Sequence, residues 1–372
     1  MEKELKGLSE FEDLVHFKLY RACEDALRHK LNSPHVSAFV VELVPNLELL
    51  FHDIIHRTYH PRPGIAFVVK EPVKREVFAA QIRDRIIHHF IFNEVAPWWI
   101  KRFSYDSYSC IEQRGNLFGI QRCVKQLRKA SHNYTETVWV YKGDISSFFM
   151  SLPRQKLYER ALWGLEHQFK RKDPMFDLLK YLWYEIIFDE PTIGVEKRGD
   201  LSLWKELPPE KSLFHQPLGR GIVIGNLSSQ LLSNIYLDLL DRFIKIELGY
   251  QFYGRYVDDF YIIVRESERE KLLKDIPRIE NQLIKMGLTI NRRKTNFQIA
   301  DKGLPFLGTV IYPGRVIPGK RIRKSTQRAL IEYTAGVASE ETLISYLGLL
   351  IHYNSKKILG KIFDKAGQDY NF

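Results

Sequence analysis

The sequence is poor in cysteine. Only three occur among 372 residues, and none forms a Cys-x-x-Cys pair, the spacing typical of zinc sites and redox motifs. This scarcity argues against a zinc site and against a disulfide framework, and it favours a reducing compartment. We therefore expect a cytoplasmic protein in which Cys23, Cys110 and Cys123 are buried thiols.

The sequence also lacks a long hydrophobic run. The N-terminal segment MEKELKGLSEFEDL is charged and has no apolar stretch of the signal-peptide type. Residues 38–55, among the most apolar, are interrupted by Glu, Asn, Pro and His, so we expect no membrane-spanning helix and no membrane partner. Internal repeats and low-complexity linkers are absent, and the length suits two or three domains or one body with subdomains.

Acidic residues are outnumbered by basic ones. The net charge is +11 and the isoelectric point is near 9.3, which favours a polyanionic partner such as nucleic acid. The alternative is a basic protein without such a partner. A hydrophobic content of 45% with 27% charged residues is typical of a globular chain, whereas the 13% of aromatic residues suits core packing and base stacking equally.

Hydrophobic periodicity predicts a mixture of helices and short strands. The predicted helices cover residues 11–59, 81 to about 97, 154 onward, 225–245, 271–286 and 324–367. The predicted strands cover residues 65–69 and 75–79, joined through residues 71–73, and residues 138–145, 251–256, 260–265, 289–299 and 306–311. Residues 189–217, rich in Pro, Gly, Lys and Glu, are predicted to form a long surface loop. This order indicates an α+β protein with a small sheet and helices on one face.

Two adjacent carboxylates, Asp258 and Asp259, stand at a bend between two apolar strands. Crowded carboxylates are costly unless a cation neutralises them. Successive strand residues point to opposite faces, so a bend is needed for both to serve one site. Taken alone, such a pair is more often part of a solvated loop.

A third carboxylate, Asp144, ends the β-rich run VWVYKGD, where a strand would emerge at the edge of a sheet. Three carboxylates that converge there would suit Mg²⁺, which takes oxygen ligands from the protein and from substrate phosphates. Two such ions can stabilise both an attacking hydroxyl and a leaving pyrophosphate. Asp144 together with the Asp258–Asp259 pair predicts a metal site far more strongly than either feature does alone.

Five motifs then occur in a recognisable order: DISSFF, GRGIVIGNLSSQLLSN, YVDD, MGLTINRRKT and LPFLG. In this order they resemble the motifs of reverse transcriptases, over about residues 65–311. The resemblance implies a right-hand polymerase fold with fingers, palm and thumb. It places N-terminal helices and fingers in residues 1–135, a palm with an insertion (150–222) in residues 136–312, and a helical thumb in residues 313–372.

The same resemblance implies an RNA-directed DNA polymerase that uses deoxynucleoside triphosphates (dNTPs). Its two Mg²⁺ ions, or Mn²⁺ in their place, would be held by Asp144, Asp258, Asp259 and the backbone of Ile145. Its partners would be a template RNA and an RNA/DNA hybrid.

Residues for the incoming nucleotide also follow from the resemblance. Phe149, beside Phe148, matches an aromatic steric gate that crowds a ribose 2′-hydroxyl; without the family, a core phenylalanine is the alternative. Arg75 matches a fingers arginine whose planar fork suits phosphate oxygens. The nearby basic candidates, which the sequence does not rank, are Lys70, Lys74, Arg83 and Arg85.

Gly225, Ser229 and Gln230 match a turn and helix that face template and nucleotide, where glycine permits close backbone approach. Lys294 matches a basic residue near the leaving pyrophosphate. Ile224 stands where several retroviral relatives carry a Gln that contacts the nucleotide. We therefore expect base selection to rest on shape and fidelity to be reduced. LPFLG matches the primer grip, which includes Phe306, Leu307 and Gly308.

A basic cluster follows the primer grip and suits a template–primer backbone, although a solvated charged face is the alternative. Its members are Lys320, Arg321, Arg323, Lys324 and Arg328. A second group, Lys356, Lys357 and Lys361, could equally meet an accessory protein.

Finer similarities point to the reverse transcriptases of bacterial diversity-generating retroelements. They are FAAQIRDRIIHHFIFNEVAP, PPEKSLFHQPLGRGIVIGNLSSQLLSNIYLD and SYLGLLIHYNS. Such enzymes copy a template RNA with frequent errors at adenines, the cDNA replaces part of a target gene, and a small basic oligomeric accessory protein assists. LSSQ stands where many relatives have LTSQ, a change that keeps the hydroxyl.

Alternatives remain open at this point. RNase H, integrase, maturase and HNH motifs are absent after LPFLG, so we expect neither a retroviral polyprotein nor a complete group II intron protein. A retron or an anti-phage defence reverse transcriptase, including one without a conventional template, is the nearest rival. A catalytically silent RNA-binding scaffold is the rival of another class, which the three intact aspartates disfavour.

Overall fold

The computed structural model describes residues 2–28, 30–31, 34–70 and 73–365. The chain divides into two compact units. Unit 1 comprises Met1–Ser104, Ile145–Arg242 and Asn281–Thr289, and unit 2 comprises Tyr105–Asp144, Phe243–Glu280 and Ile290–Phe372. Each unit is therefore assembled from segments that lie far apart in the sequence.

The α-helices of the described residues are, in chain order, α1 (Glu2–Leu27), α2 (Pro34–Val41), α3 (Leu43–Ile55), α4 (Ile82–Ile100), α5 (Asn116–Ala130), α6 (Phe148–Ser151), α7 (Arg154–Gln168), α8 (Pro174–Phe188), α9 (Ser202–Lys205), α10 (Leu227–Arg242), α11 (Arg269–Lys285), α12 (Lys320–Thr334), α13 (Glu340–Leu350) and α14 (Lys356–Lys365). The strands are β1 (Ile65–Val69), β2 (Arg75–Ala79), β3 (Val138–Asp144), β4 (Glu196–Lys197), β5 (Phe252–Tyr256), β6 (Asp259–Arg265), β7 (Asn296–Ile299), β8 (Leu304–Phe306), β9 (Thr309–Tyr312) and β10 (Arg315–Pro318).

Unit 1 is mainly helical. Helix α1 packs along α4, and α10 packs on α4 and α7. The buried face of α1 carries Val15, Leu19, Ala22 and Ala26, spaced by three and four residues as the periodicity predicts. The predicted helical region 11–59 is thus confirmed as three helices, and predicted strands 65–69 and 75–79 coincide with the antiparallel pair β1 and β2. The predicted junction between these strands includes residues 71–72, which lie outside the described residues.

Helix α4 continues through Pro97, which corrects the predicted end there. Proline inside a helix costs roughly 3 kcal/mol because it removes a hydrogen bond and crowds the preceding turn. Beyond it, Trp99 is fully buried and stacks on Phe103 at 5.6 Å between ring centroids. Burying about 200 Å² of an aromatic side chain contributes roughly 5 kcal/mol, which offsets much of the cost of the proline and of the buried Trp99 Nε1, for which no hydrogen-bond partner is found among the described residues.

The segment after α8 is ordered by tertiary contacts, which corrects the predicted surface loop at 189–217. Strand β4 pairs in parallel with β1, and Leu203, Leu207 and Leu213 are buried. The buried Glu76 carboxylate of β2 accepts hydrogen bonds from Ser212 Oγ at 2.6 Å and from the Leu213 N–H at 2.8 Å. Composition alone cannot reveal such order, because the bonds join residues more than 130 positions apart.

Unit 2 contains two antiparallel sheets. The first has the strand order β5-β6-β3-β7 and the second β10-β9-β8, and helix α5 packs against β5 and β6. Gly143 of β3 lies opposite Phe260 of β6, and a Cβ at position 143 would fall 2.2 Å from the Phe260 ring. Glycine there lets the two central strands approach beside Asp144.

Helices and antiparallel sheets confirm the α+β class, with local corrections. The predicted strand at 289–299 shortens to β7, because residues 291–295 form a hydrogen-bonded turn that Asn291 closes. Cys110 is exposed rather than buried, at a turn where its φ is +54°. The helical region predicted for 324–367 divides into α12, α13 and α14, and its last two residues lie outside the described part of the chain. The three-part division into fingers, palm and thumb stays a prediction.

Among the residues that the structure describes, no helix is long and apolar enough to cross a bilayer.

Candidate active site

The YVDD motif forms a tight hairpin turn in unit 2. Strand β5 ends at Tyr256, which pairs with Asp259 at the start of β6, so Val257 and Asp258 make the turn. Val257 has a φ of +53°, a left-handed conformation that β-branched residues rarely adopt. The predicted bend is confirmed, and it is strained at its first residue.

The hairpin brings Asp259 beside Asp144. The register of β3 and β6 places these two residues directly opposite each other, where Cβ atoms are typically about 5 Å apart. The backbone of Asp144 is held on both sides: its N–H donates to Thr295 Oγ1 at 3.3 Å, and its carbonyl accepts from the Asn291 N–H at 2.7 Å. The sheet therefore brings together two of the predicted metal-binding carboxylates, with Asp258 adjacent in the turn.

Two lysines partly neutralise these aspartates. Lys142 Nζ lies 3.3 Å from Asp259 Oδ1, and Lys294 Nζ lies 3.0 Å from Asp144 Oδ2. Lys294 was predicted at the site, but Lys142 was missed. The available signal was its position two residues before Asp144, since alternate strand residues share one face of a sheet.

Negative charge still exceeds positive charge around Asp259. The pKa of Asp259 is raised to about 7, chiefly by burial; Lys142 opposes the rise, and the Asp258 and Asp144 carboxylates add to it. Within the described residues, Asp144 Oδ1 is buried without a hydrogen-bond partner, and Asp259 Oδ1 lacks a hydrogen bond of good geometry. Carboxylate oxygens of this kind fit divalent cations.

With both lysines paired, no ready-made metal site stands in the described ranges: no group of three or more His, Cys, Asp or Glu side chains is arranged to hold an ion. An ion at these oxygens would compete with the two ammonium groups. The residue types therefore fit Mg²⁺, whereas the side-chain positions favour lysine pairing.

The predicted nucleotide residues lie mostly in unit 1. Gly225 has a φ of +130°, and a Cβ there would fall 2.3 Å from the Phe78 carbonyl oxygen. The Phe78 N–H donates to the Ile224 carbonyl at 2.9 Å. Strand β2, which begins with the exposed Arg75, is thereby fastened to the segment that carries Gly225.

Ile224 is half-buried and packs on a small apolar cluster. The cluster consists of Ala66, Phe78, Met150, Leu213 and Val223. The Ile224 side chain is thus supported from behind by the base of the β1–β2 hairpin.

The other nucleotide candidates differ in exposure. Phe148 is buried and Phe149 half-buried, with their rings edge to face at 5.3 Å. Ile145, whose carbonyl was predicted to bind metal, has a buried side chain. Gln230 is exposed and Ser229 buried on α10.

The basic candidates near β1 and β2 already have protein partners. Lys70 lies 3.8 Å from Asp200, Lys74 pairs with Glu206, and Arg85 Nε donates to the Ala80 carbonyl at 2.9 Å. Of these, Lys70 and Lys74 lie at the surface, where such pairs exchange readily with water and ligands.

Arg83 is buried instead. Its guanidinium contacts Asp53 at 2.6 Å and Asp84 at 3.1 Å, and it lies over the Tyr59 ring at 4.7 Å. These contacts join α3 to α4 and are structural. A nucleic-acid contact by Arg83 stays a prediction without support from its surroundings.

The predicted primer grip lies in unit 2. Phe306 is buried against Tyr261, with ring centroids 5.0 Å apart. Leu307 and Gly308 both have positive φ, at +49° and +78°, and the Gly308 carbonyl accepts from the Gly319 N–H at 2.8 Å. The grip is thus a tight turn fastened to the start of α12.

The predicted basic cluster occupies the N-terminal half of α12. Lys320, Arg321, Lys324 and Arg328 are exposed and Arg323 is half-buried. The first turn of α12 contains no acidic residue. Cations at the positive end of a helix are unfavourable, so a polyanion bound there would relieve the repulsion.

A strand-end aspartate opposite an aspartate turn, in the same unit as a basic helix, is typical of a class of protein, the nucleotidyltransferases that act on nucleic acid. The family described as "Reverse transcriptase (RNA-dependent DNA polymerase)" matches residues 74–311, which is more than half of the chain. The chain belongs to the reverse transcriptase family, and it is an RNA-directed DNA polymerase. Enzymes of this family bind a nucleic-acid template and generally use divalent metal ions. A search of curated proteins found no match to the chain.

Proposed function

We propose that Asp144, Asp258 and Asp259, with the carbonyl of Ile145, hold two Mg²⁺ ions for DNA synthesis on an RNA template. The observation that carries this proposal is the excess of buried carboxylate oxygens opposite each other on β3 and β6. When bound, the ions would lower the barrier for attack of the primer 3′-hydroxyl and for departure of pyrophosphate.

The chain's own residues then position the substrates. Arg75, exposed at the start of β2, binds the triphosphate through its planar guanidinium. The half-exposed ring of Phe149 crowds a ribose 2′-hydroxyl and so favours deoxynucleotides. Lys294, now paired with Asp144, provides positive charge for the leaving pyrophosphate. Lys70 and Gln230 are further candidates for contacts with the nucleotide or its template base.

A second set of residues contacts the primer and the RNA/DNA hybrid. Phe306, Leu307 and Gly308 seat the primer end, and the exposed cations of α12 neutralise phosphates of the RNA/DNA hybrid. Support for this role comes from the unfavourable placement of those cations at the positive end of their helix.

We further propose that the enzyme serves a diversity-generating retroelement, copying a template RNA with errors at adenines. Support comes from the three sequence segments that resemble this branch of the family and from Ile224. Its aliphatic side chain rests on an apolar cluster and offers no hydrogen bond to a base. A small basic oligomeric accessory protein would help to hold the template RNA. We place the protein in the cytoplasm.

The first experiment is primer extension on an RNA template with Mg²⁺ and all four dNTPs. Wild type is compared with Asp258→Ala/Asp259→Ala, and every product is sequenced, with and without an accessory protein encoded nearby. Extension that disappears in the variant supports the metal-binding role. Errors concentrated opposite template adenines support the retroelement role.

Uniformly accurate products would favour a retron or defence enzyme instead. Absence of extension by wild type, even with native RNA and accessory protein, would favour the catalytically silent RNA-binding scaffold or a specialised defence enzyme.

A companion variant tests Ile224. Ile224→Gln restores a hydrogen-bonding side chain, and we expect fewer misincorporations than in wild type. Ile222→Val, in the same segment but with an apolar side chain that is buried, is the control. Identical error spectra for wild type and Ile224→Gln would refute the proposed basis of reduced fidelity.

A further inference from the structure

The aspartate turn is held in a conformation that its own sequence disfavours. Val257 precedes Asp258 and has a φ of +53°, which an isolated β-branched residue avoids. Strained residues of this kind persist only where surrounding contacts over-determine them. The contacts that hold Val257 are therefore of functional interest, since any relaxation at this residue moves both aspartates.

The first contact is a buried arginine. Arg255 has no exposed surface, and its Nη1 donates to the Val257 carbonyl at 3.2 Å while its Nη2 donates to Ser107 Oγ at 3.0 Å. One planar guanidinium thus bridges the turn and a segment far away in the sequence. A lysine cannot reproduce this bridge, because its ammonium is a single centre without a fixed fork.

The second contact holds the other side of the same residue. The Val257 N–H donates to Ser109 Oγ at 3.3 Å, so both peptide groups that flank the strained Cα are bonded. Ser107 and Ser109 are fully buried, which makes their hydroxyl positions well defined.

The segment that supplies these serines is itself fastened to β5. The Arg255 N–H donates to the Asp106 carbonyl at 2.9 Å, and the Tyr108 N–H donates to the Arg255 carbonyl at 2.9 Å. Segment 106–109 therefore runs beside β5 as a short parallel bridge and meets the turn with its hydroxyl groups.

We propose that Arg255, together with Ser109, is a positioning residue that fixes the backbone of Val257 and thereby aims Asp258 and Asp259 at the reacting centre. The inference rests on the proposed metal-binding role of those aspartates. In this role Arg255 acts through the turn, by way of the Val257 carbonyl that its guanidinium contacts. The expected signature is a defect in the chemical step and in metal binding, without a matching defect in nucleotide or primer binding.

The test compares Arg255→Met, Arg255→Lys and Ser109→Ala with wild type. Arg265→Met is the matched control, because Arg265 lies at the other end of β6, opposite Val138, and its Nε also donates to a backbone carbonyl. Each variant is assayed for kcat, for KM of dNTP, for Kd of the template–primer, and for binding of Mn²⁺ alone by electron paramagnetic resonance. Thermal denaturation fixes an assay temperature at which all variants are folded.

We expect Arg255→Met to lower kcat about 100-fold, the scale of a 1 Å misplacement of catalytic groups. KM and template–primer Kd should change less than about threefold, and Mn²⁺ should bind about tenfold more weakly. Arg255→Lys should recover part of kcat, because the charge returns without the fork. Ser109→Ala should lower kcat less than Arg255→Met, and Arg265→Met should match wild type.

Two results would overturn the inference: a kcat of Arg255→Met within about threefold of wild type, or unchanged Mn²⁺ binding in that variant. If Arg255→Met does not fold, Ser109→Ala decides, and a wild-type kcat and Mn²⁺ affinity in that variant count against the proposal. The Asp258→Ala/Asp259→Ala variant distinguishes failure of the proposed metal site from failure of the proposed positioning role. An active aspartate variant would refute the proposed site, whereas an inactive one beside a fully active Arg255→Met would refute only the positioning role.

Discussion

Lys142 provides a quantitative test of the electrostatics around the aspartate turn. Its ammonium lies 3.3 Å from Asp259 Oδ1, and the two side chains are 12% and 22% exposed. With an effective dielectric constant of about 20, this separation corresponds to an attraction of roughly 5 kcal/mol. The cost of removing the ammonium from water offsets a large part of this attraction. We therefore expect Lys142→Met to lower the free energy of unfolding by about 2 kcal/mol without divalent ions.

The same variant should respond more strongly to Mg²⁺. Without the ammonium, Asp144, Asp258 and Asp259 present more uncompensated charge to a cation, and no lysine competes for Asp259. An ion at 100 times its Kd stabilises a fold by about 2.7 kcal/mol, so saturating Mg²⁺ should restore most of the loss.

The assay is urea denaturation followed by circular dichroism, in EDTA and in MgCl₂. Lys294→Met is the control: its side chain is 61% exposed, so its pairing with Asp144 is screened by solvent and its loss should cost less than about 1 kcal/mol. The prediction is wrong if Lys142→Met is as stable as wild type in EDTA, or if Mg²⁺ stabilises Lys142→Met and wild type equally.

Four further predictions concern other parts of the molecule. Gly225→Ala should lower kcat/KM for dNTP at least about tenfold, because its Cβ would strike the Phe78 carbonyl at 2.3 Å. Gly115→Ala, whose Cβ would meet nothing within 4 Å and whose φ of −177° any residue adopts, should match wild type in the same primer-extension assay, and equal losses would contradict this. Phe149→Ala should raise ribonucleotide incorporation about tenfold relative to dNTPs, and an unchanged ratio would argue against the steric gate. Burial lowers the pKa of His88 to about 3, so the unfolded chain binds a proton at pH 4–6 that the folded chain does not; stability present above pH 6.5 is lost as pH falls. The wild-type free energy of unfolding, from urea denaturation, should then drop by up to about 1.4 kcal/mol per pH unit more than that of His88→Gln, whereas parallel slopes would refute it. Arg321→Ala/Lys324→Ala should reduce the salt dependence of template–primer binding by one to two phosphate contacts, read as a shallower plot of log Kd against log salt; an unchanged slope would remove α12 from the interface.

Several features could be predicted from the sequence because their causes are local. Strands β1 and β2 coincide with the predicted ranges, since Pro-Gly breakers and β-branched runs act over a few residues. The bend at Val257 and Asp258 follows from two apolar strands separated by polar residues. The ordered motifs likewise pointed to the reverse transcriptase family that the profile match shows.

Other features depend on pairing between distant segments. Lys142 meets Asp259 only because the register of β3 and β6 sets which residues oppose each other. The same holds for Glu76, whose partners lie in the segment predicted to be a loop. Pro97 lies inside α4 because Trp99 is buried beyond it.

The sequence by itself determined the class of enzyme and the bend at Asp258 and Asp259, because residue type and order along the chain express these directly; it also predicted the metal-binding role of the three aspartates. Only the tertiary structure decided how the aspartates are arranged and restrained. Strand register places Asp144 opposite Asp259, and Arg255 with Ser109 restrains Val257. Hydrogen bonds and ion pairs of this kind act over about 3 Å in space. Arg255 and Val257 are only two positions apart, but Ser107 and Ser109 lie more than 100 positions from the turn, as Asp144 does from Asp259, so the pattern of residues does not reveal these contacts.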